Sequence, residues 1–111
     1  MMTNHDQLAV DINQDITEVA DILVALGDKK RLMLLSHLIN AYQSAPLCVR
    51  DLTELTDLSR PAVSHHLKIL REAGIISFKK EGTQSYYFLD NVPANVAKIK
   101  QLTDDLVKIT C

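Results

Sequence analysis

Apolar residues return along this chain at two different periods, and the change of period divides it. Between about Asp6 and Leu26, Ile12, Ile16, Val19, Leu23 and Leu26 follow one another at steps of four, three, four and three, which marks one face of a helix. Gly27 can end that helix and Asp28 can cap a second one, whose face Leu32, Leu35, Leu38 and Ile39 runs to about Ala41. The segment YQSAP, Tyr42 to Pro46, is turn-like, because the residue before a proline is pushed out of the helical region. A short helix then spans Cys48 to Thr56, with Val49, Leu52 and Leu55 on one side, and Asp57 and Leu58 lead on from it. From Ser59 to Gly74 the apolar positions Val63, Leu67 and Leu70 again keep helical spacing. After Gly74 the segments IISFKK and SYYFL, joined by the glycine turn EGTQ, are strand-like and predict a β-hairpin. Asp90 and Asn91 are turn residues, and Pro93 fits the first turn of a last helix to about Ile109, with the stripe Val96, Ile99, Leu102, Leu106 and Ile109. The predicted fold is mainly α, about five helices with one small β-hairpin.

The helix between Ser59 and Gly74 has the best-marked ends. A serine oxygen at Ser59 accepts from amides left free in the first turn, Pro61 sits where its missing N–H costs nothing, and Gly74 suits a left-handed cap. Opposite its buried stripe lie Arg60, Ser64, His65 and Lys68, with Arg71 further along. Such a face offers several donors to an anionic, hydrogen-bonding surface, and DNA is the partner that fits. Together with the short helix before it, this makes a helix-turn-helix. The hairpin that follows makes a wing, which places Lys79, Lys80, Thr83 and Gln84 to touch the phosphate backbone or a minor groove. Tyr86 and Tyr87 alternate in the second strand, so one is expected in the core and the other outside.

Charge refines this picture. A chain of 111 residues with 47% hydrophobic and 23% charged residues suits one globular domain, and its net charge of −2 alone argues against a nucleic-acid partner. The distribution argues the other way. Residues 1–27 hold five acids and no Lys or Arg, whereas residues 59–80 hold five bases against Glu72 alone, and local field steers binding more than the total does. No apolar run approaches the ~20 residues that cross a bilayer. The acidic start MMTNHDQLAVDINQD lacks the basic and apolar blocks of a signal peptide, so the expected location is cytoplasmic. The first and last helices carry more apolar face than a small core covers, which predicts a homodimer. The expected organisation is a single domain over 1–111, with residues 28–89 as the DNA-binding core and residues 6–26 and 92–109 as dimerisation helices.

ALGDKKRLMLLSHL, LCVRDLTELTDLSRPAVSHHLKILREAGII and GTQSYYFL resemble the second-helix entry, helix-turn-helix and wing of the ArsR/SmtB winged-helix repressors, across almost the whole chain. The resemblance implies a homodimer joined by its first and last helices, repressing an operator of inverted half-sites and leaving double-stranded DNA when an inducer binds, commonly a metal ion. It implies base-facing roles for Ser64 and His65, with Arg60 and Lys68 beside them and Ser59 and Pro61 close to the DNA backbone. The chain departs from the family where inducers bind. The usual Cys-Val-Cys run is Cys48, Val49 and Arg50 here, which is no soft multi-sulfur set. The last-helix ligand positions correspond to Asn91, Pro93, Asp104 and Val107, of which only Asp104 could coordinate. An arginine frequent near Gln84 in the wing is also absent. No metal and no cofactor is expected, and the inducer is left unidentified.

The two cysteines permit a redox reading. Cys48 is expected at a helix N-terminus beside Arg50, surroundings that favour a thiolate, and Cys111 is expected to be exposed. Some relatives sense oxidants or persulfides through a last-helix cysteine paired with one in the second helix, but the second-helix position here is Ser36, so that pair is incomplete. A Cys48–Cys111 bond needs Cα atoms within about 7 Å, and two unpaired thiols suit a reducing compartment. Two other classes of function remain open. A winged-helix module that binds protein would want an apolar patch where Arg60, His65 and Lys68 sit. An enzyme is the weakest fit, since His65 and His66 lie on different faces of one helix with no acid and nucleophile to orient either.

Overall fold

In a computed structural model, which describes residues 3–42, 44–90 and 93–111, the element order is α1 (Asn4–Leu26), α2 (Lys29–Asn40), β1 (Leu47–Cys48), α3 (Val49–Leu55), α4 (Arg60–Glu72), β2 (Ile76–Glu81), β3 (Gln84–Leu89) and α5 (Pro93–Ile109). The mainly α architecture with a hairpin is the one predicted. Gln43 of the expected turn, Asn91 as a turn residue and Val92 as the start of the last helix lie outside the described residues.

Local chemistry sets most of the boundaries. α1 begins two residues before the expected Asp6, because Thr3 Oγ1 accepts from the Asp6 amide at 3.0 Å while Asp6 Oδ2 accepts from the Thr3 amide at 3.1 Å; this reciprocal box satisfies two donors at once. The carboxylate of Asp28 accepts from the Lys30 and Arg31 amides at 2.9 and 3.1 Å and opens α2. Ser59 Oγ accepts from the Ala62 amide at 3.3 Å and opens α4, with Pro61 in its first turn. At the other end Gly74 takes φ 80°, its amide bonds the Arg71 carbonyl at 2.9 Å, and the Ile75 amide bonds the Leu70 carbonyl at 3.1 Å. Those two bonds form a Schellman cap.

The hairpin turn is tighter than the expected EGTQ, because Glu81 and Gln84 pair as the last rung and only Gly82 and Thr83 remain between the strands. Gly82 has φ 64° and no other residue type takes a positive φ among the described residues, a combination that fits a type II′ turn with glycine first. β1 was not expected. Its two residues pair antiparallel with β3, Leu47 opposite Tyr87 and Cys48 opposite Tyr86, which gives a three-stranded sheet in the order β1-β3-β2. β3 is therefore central, and Tyr86 and Tyr87 are both half-buried. This corrects the expectation of one core and one exposed tyrosine: with strands on both sides of it, neither ring of β3 stands clear.

The chain forms two compact units, Met1–Asp21 with Pro93–Cys111, and Ile22–Val92. In the second unit Leu34, Leu52, Val63, Leu67 and Leu70 are fully buried, with Leu38, Cys48, Ile75 and Ile76 beside them in burial. In the first, Ile12, Val19 and Leu102 form a core on which Leu8, Ile99 and Ile109 pack. The α1 stripe is covered along one edge only: Ile12, Val19, Ile22 and Ala25 are buried, while Ile16 and Leu23 are 45% and 41% exposed. Asp15 lies on the covered side and Asp105 of α5 is buried. Periodicity locates a stripe's axis, and which of its edges a neighbour covers depends on that neighbour.

Candidate nucleic-acid interface

Burial of Val63, Leu67 and Leu70 fixes the rotation of α4 about its axis, and helical geometry then carries Arg60, Ser64, His65, Lys68 and Arg71 to the open side, where all five are exposed. Ser59 and Pro61 are exposed at its N-terminal end. Lys68 Nζ lies 4.0 Å from Glu72 Oε1, with both side chains more than 60% exposed, so water screens the pair and it is worth little. Lys68 is free to exchange that carboxylate for another anion. Arg71 is turned toward the wing, its guanidinium carbon 5.1 Å from the centre of the Phe78 ring.

The register of the hairpin divides the two wing lysines. Phe78 pairs with Tyr87, Lys79 with Tyr86, Lys80 with Ser85 and Glu81 with Gln84. Directly opposite residues share a face and successive residues alternate. Ser85 and Tyr87 line a groove of about 420 Å³ against α4, together with Val49, Arg60, Pro61, Ser64, Thr83 and Gln84. Lys80 therefore belongs to the groove face with Phe78, and Lys79 to the opposite face with Tyr86. Of the residues singled out in the sequence, the groove gathers Arg60, Pro61, Ser64, Thr83 and Gln84; Ser59, His65, Lys68, Lys79 and Lys80 are not among its lining residues. Val49, Ser85 and Tyr87 were missed, because strand register and the approach of α3 are tertiary facts with no local signal.

Behind the open face sits a polar layer. The Arg31 guanidinium donates from Nε to the Ala25 carbonyl at 2.7 Å and from Nη2 to the Val24 carbonyl at 3.1 Å, and Nη1 stands 3.3 Å from His66 Nδ1. Burial holds the His66 imidazole below the usual histidine range, opposed by the charge of Asp28 and assisted by Arg31, His65 and Lys30. The His65 and His66 rings lie 5.8 Å apart, tilted by 54°. His66 is half-buried against α2, as the two-face placement of the histidines implied.

The cysteines are placed differently from expectation in one respect. Cys111 is exposed, but Cys48 is buried, and its Sγ donates to Asp51 Oδ2 at 3.2 Å while its amide donates to the same oxygen at 3.0 Å. Those two bonds, the backbone one first, pull the Asp51 carboxyl below its usual range. Arg50 instead faces Glu54 at 4.0 Å on the exposed side of α3. An anion, rather than the expected cation, is thus the polar neighbour of the sulfur. Asp104 holds Lys100 Nζ at 2.9 Å. Among the described residues, no group of three or more His, Cys, Asp or Glu is arranged to hold a metal ion.

A serine-capped helix with a cationic, hydrogen-bonding open face, preceded by a short helix and flanked by a hairpin, defines a winged helix-turn-helix protein. The sequence profile of the bacterial regulatory protein, arsR family, matches residues 28–77. The chain is 37% identical over 89 residues to an uncharacterized HTH-type transcriptional regulator of Methanocaldococcus jannaschii, covering 80% of this chain and 94% of that one. It is 41% identical over 71 residues to the arsenical resistance operon repressor of Bacillus subtilis, covering 64% of this chain and 65% of the repressor. Among solved structures, the transcriptional repressor BigR from Xylella fastidiosa superposes with a TM-score of 0.63 at 27% identity, covering 92% of this chain and 95% of that one. The chain belongs to the arsR family and is a DNA-binding transcriptional regulator. Its family and relatives are regulators rather than enzymes, and the protein-interaction module is set aside. No helix of the structure is long and apolar enough to cross a membrane.

Proposed function

We propose that the protein is a cytoplasmic repressor that binds an inverted-repeat operator in double-stranded DNA as a homodimer and leaves it when an inducer binds. Residues 28–89 form the DNA-binding core. α4 enters the major groove, where Ser64 and His65 meet base edges and Arg60 and Lys68 choose between base and phosphate. Ser59 and Pro61 approach the DNA backbone, while Thr83, Gln84 and Lys80 hold the flanking phosphates and Lys79 lies on the opposite face of the wing. Residues 6–26 and 92–109 are the dimerisation helices, a reading supported by the exposure of Val10, Ile16, Val96, Leu106 and Val107. The observation that carries the proposal is the groove in which Arg60 and Ser64 of α4 face Thr83 and Gln84 of the wing, donors and acceptors presented from two directions.

In the binding state the two α4 helices of the dimer stand about 34 Å apart, one turn of DNA; the inducer shifts the dimer to a state that breaks this spacing. Cys48, Val49 and Arg50 supply a single sulfur, already bonded to Asp51, which is a poor set for a thiophilic metal. The test is fluorescence anisotropy of reduced, chelator-treated protein on a labelled fragment from upstream of its own gene at several salt concentrations. Tight, salt-steep binding that exceeds binding to random duplex is expected. Equal affinity for both duplexes, together with failure to enrich any sequence from genomic DNA, would refute operator recognition.

A further inference from the structure

α4 is held to its support mainly by Val63, Leu67 and Leu70, all fully buried. Apolar packing is not directional, so it leaves the pitch of a helix less defined than a hydrogen bond of fixed geometry does. The one polar junction described between α4 and the elements behind it is made by Arg31, which grips the Val24 and Ala25 carbonyls with two arms of its fork and reaches His66 Nδ1 with the third. Those carbonyls belong to the last turn of α1, where backbone acceptors have no partner within the helix. The residues joined through Arg31 and His66 lie 35 positions apart in sequence.

Chemistry fixes the state of the junction. A guanidinium has five N–H donors and no acceptor. The bond to His66 therefore requires a lone pair on Nδ1, which places the imidazole proton on Nε2 and leaves the ring neutral. Protonation at Nδ1 would set N–H against N–H and cation against cation. We propose that Arg31 is a positioning residue for DNA binding, locking the pitch of α4 to the end of α1 through a neutral His66, and that protonation of His66 releases the lock. This rests on the reading of α4 as the DNA-contacting helix. The charged groups bearing on the ring are Asp28, Lys30 and Arg31 from α2 and its cap, and His65 from α4 itself. Burial first, and then the charges of Arg31 and Lys30, favour the neutral ring, and Asp28 opposes them.

The experiment uses the full chain and a duplex that the protein itself selects from a random-sequence pool. Its Kd is measured by anisotropy from pH 8 down to pH 5.5 for the wild type, His65→Gln and His66→Gln. Glutamine at 66 keeps an acceptor for Arg31 and does not titrate in this range. His65→Gln removes the adjacent imidazole, and its acid dependence is read as a ratio to its own Kd at pH 8. The expected result is that binding by His65→Gln weakens about fivefold or more as pH falls, the lower end of ordinary coupling between separated groups, and that this acid limb is absent from His66→Gln. Arg31→Met at pH 8 should bind about fivefold or more weakly than the wild type at the same pH, with far-UV circular dichroism unchanged. If Arg31→Met does not fold, Arg31→Lys, which caps carbonyls but lacks the fork, takes its place.

A flat pH profile in His65→Gln, an acid limb that survives in His66→Gln, or wild-type affinity in the Arg31 variant would overturn the lock while leaving DNA binding intact. A pool that yields no preferred duplex would overturn the reading of α4, and the lock with it.

Discussion

The division of the wing lysines gives a prediction that separates two adjacent residues. Lys80 shares the groove face with Ser85, and Lys79 shares the other with Tyr86; both are exposed, so neither substitution removes buried surface. Each phosphate contact releases condensed counterions and adds about 0.9 to the slope of log K against log salt on duplex DNA. Loss of one contact therefore makes affinity less salt-sensitive by about 3.5-fold over a fourfold rise in salt, since four raised to the power 0.9 is about that. Anisotropy titrations at 50 and 200 mM salt, on both a preferred and a random duplex, resolve such a factor. Lys80→Ala should lower the slope by close to one contact on both duplexes, and Lys79→Ala should leave it within error of wild type. A slope lowered by Lys79→Ala and untouched by Lys80→Ala would show that the face assignment, or the side from which the wing approaches DNA, is wrong.

Other expectations follow from the same structure. His65→Ala should cost about 1–3 kcal/mol on the preferred duplex and much less on random DNA; equal losses on both would remove His65 from the base-reading set. Gly74→Ala should destabilise the fold by about 1–2 kcal/mol in denaturant titrations, because φ 80° crowds a Cβ, and an unchanged midpoint would mean that the cap relaxes. Asp15, half-buried with Oδ2 unpartnered, has its carboxyl raised above 3.8 by burial first and then by its hydrogen bond to Asp105 and the charges of Asp105, Glu18 and Asp11. The folded chain then binds a proton more readily than the unfolded one, so this contribution to stability is present below pH 3.8 and is lost as pH rises through the raised value. Asp15→Asn should flatten the thermal-melting profile between that pH and neutrality and raise stability at pH 7; a lower melting temperature at pH 7 would contradict it.

What was legible in the chain follows from the range of each interaction. The caps at Asp28, Ser59 and Gly74 are contacts between residues a few positions apart, and their side-chain chemistry announces them. The open face of α4 was equally legible, because one buried stripe determines the opposite side. β1 was hidden: two residues are too few to show an alternation, and the partner strand lies almost forty positions on. The edge of α1 that stays open and the burial of Asp105 depend on which neighbour arrives, whereas the carboxylate at Cys48 Sγ comes from Asp51, only three residues on, and was overlooked beside Arg50. The charge of Arg50 suggested a cation at that sulfur, yet its long side chain turned outward to Glu54. Arg31 attracted no notice in the run Lys29, Lys30, Arg31, since basic residues early in a helix are ordinarily solvated, and its partners were fixed only when α1, α2 and α4 packed.

The junction after α4 has a mechanical consequence. Ala73, Gly74 and Ile75 are the only residues between α4 and β2, all three amides are bonded back to the helix, and Ile75 and Ile76 are buried. Helix and hairpin are thus the two prongs of one rigid caliper, with no slack at the joint. A duplex that meets both prongs must present its adjacent grooves at the offset the caliper dictates. Overwound or underwound DNA, whose grooves are out of phase with that offset, has to be twisted before it fits. If α4 and the wing both contact the duplex, as proposed, affinity depends on helical twist along with base sequence, and the torsional state of the DNA becomes one of the quantities to which occupancy responds.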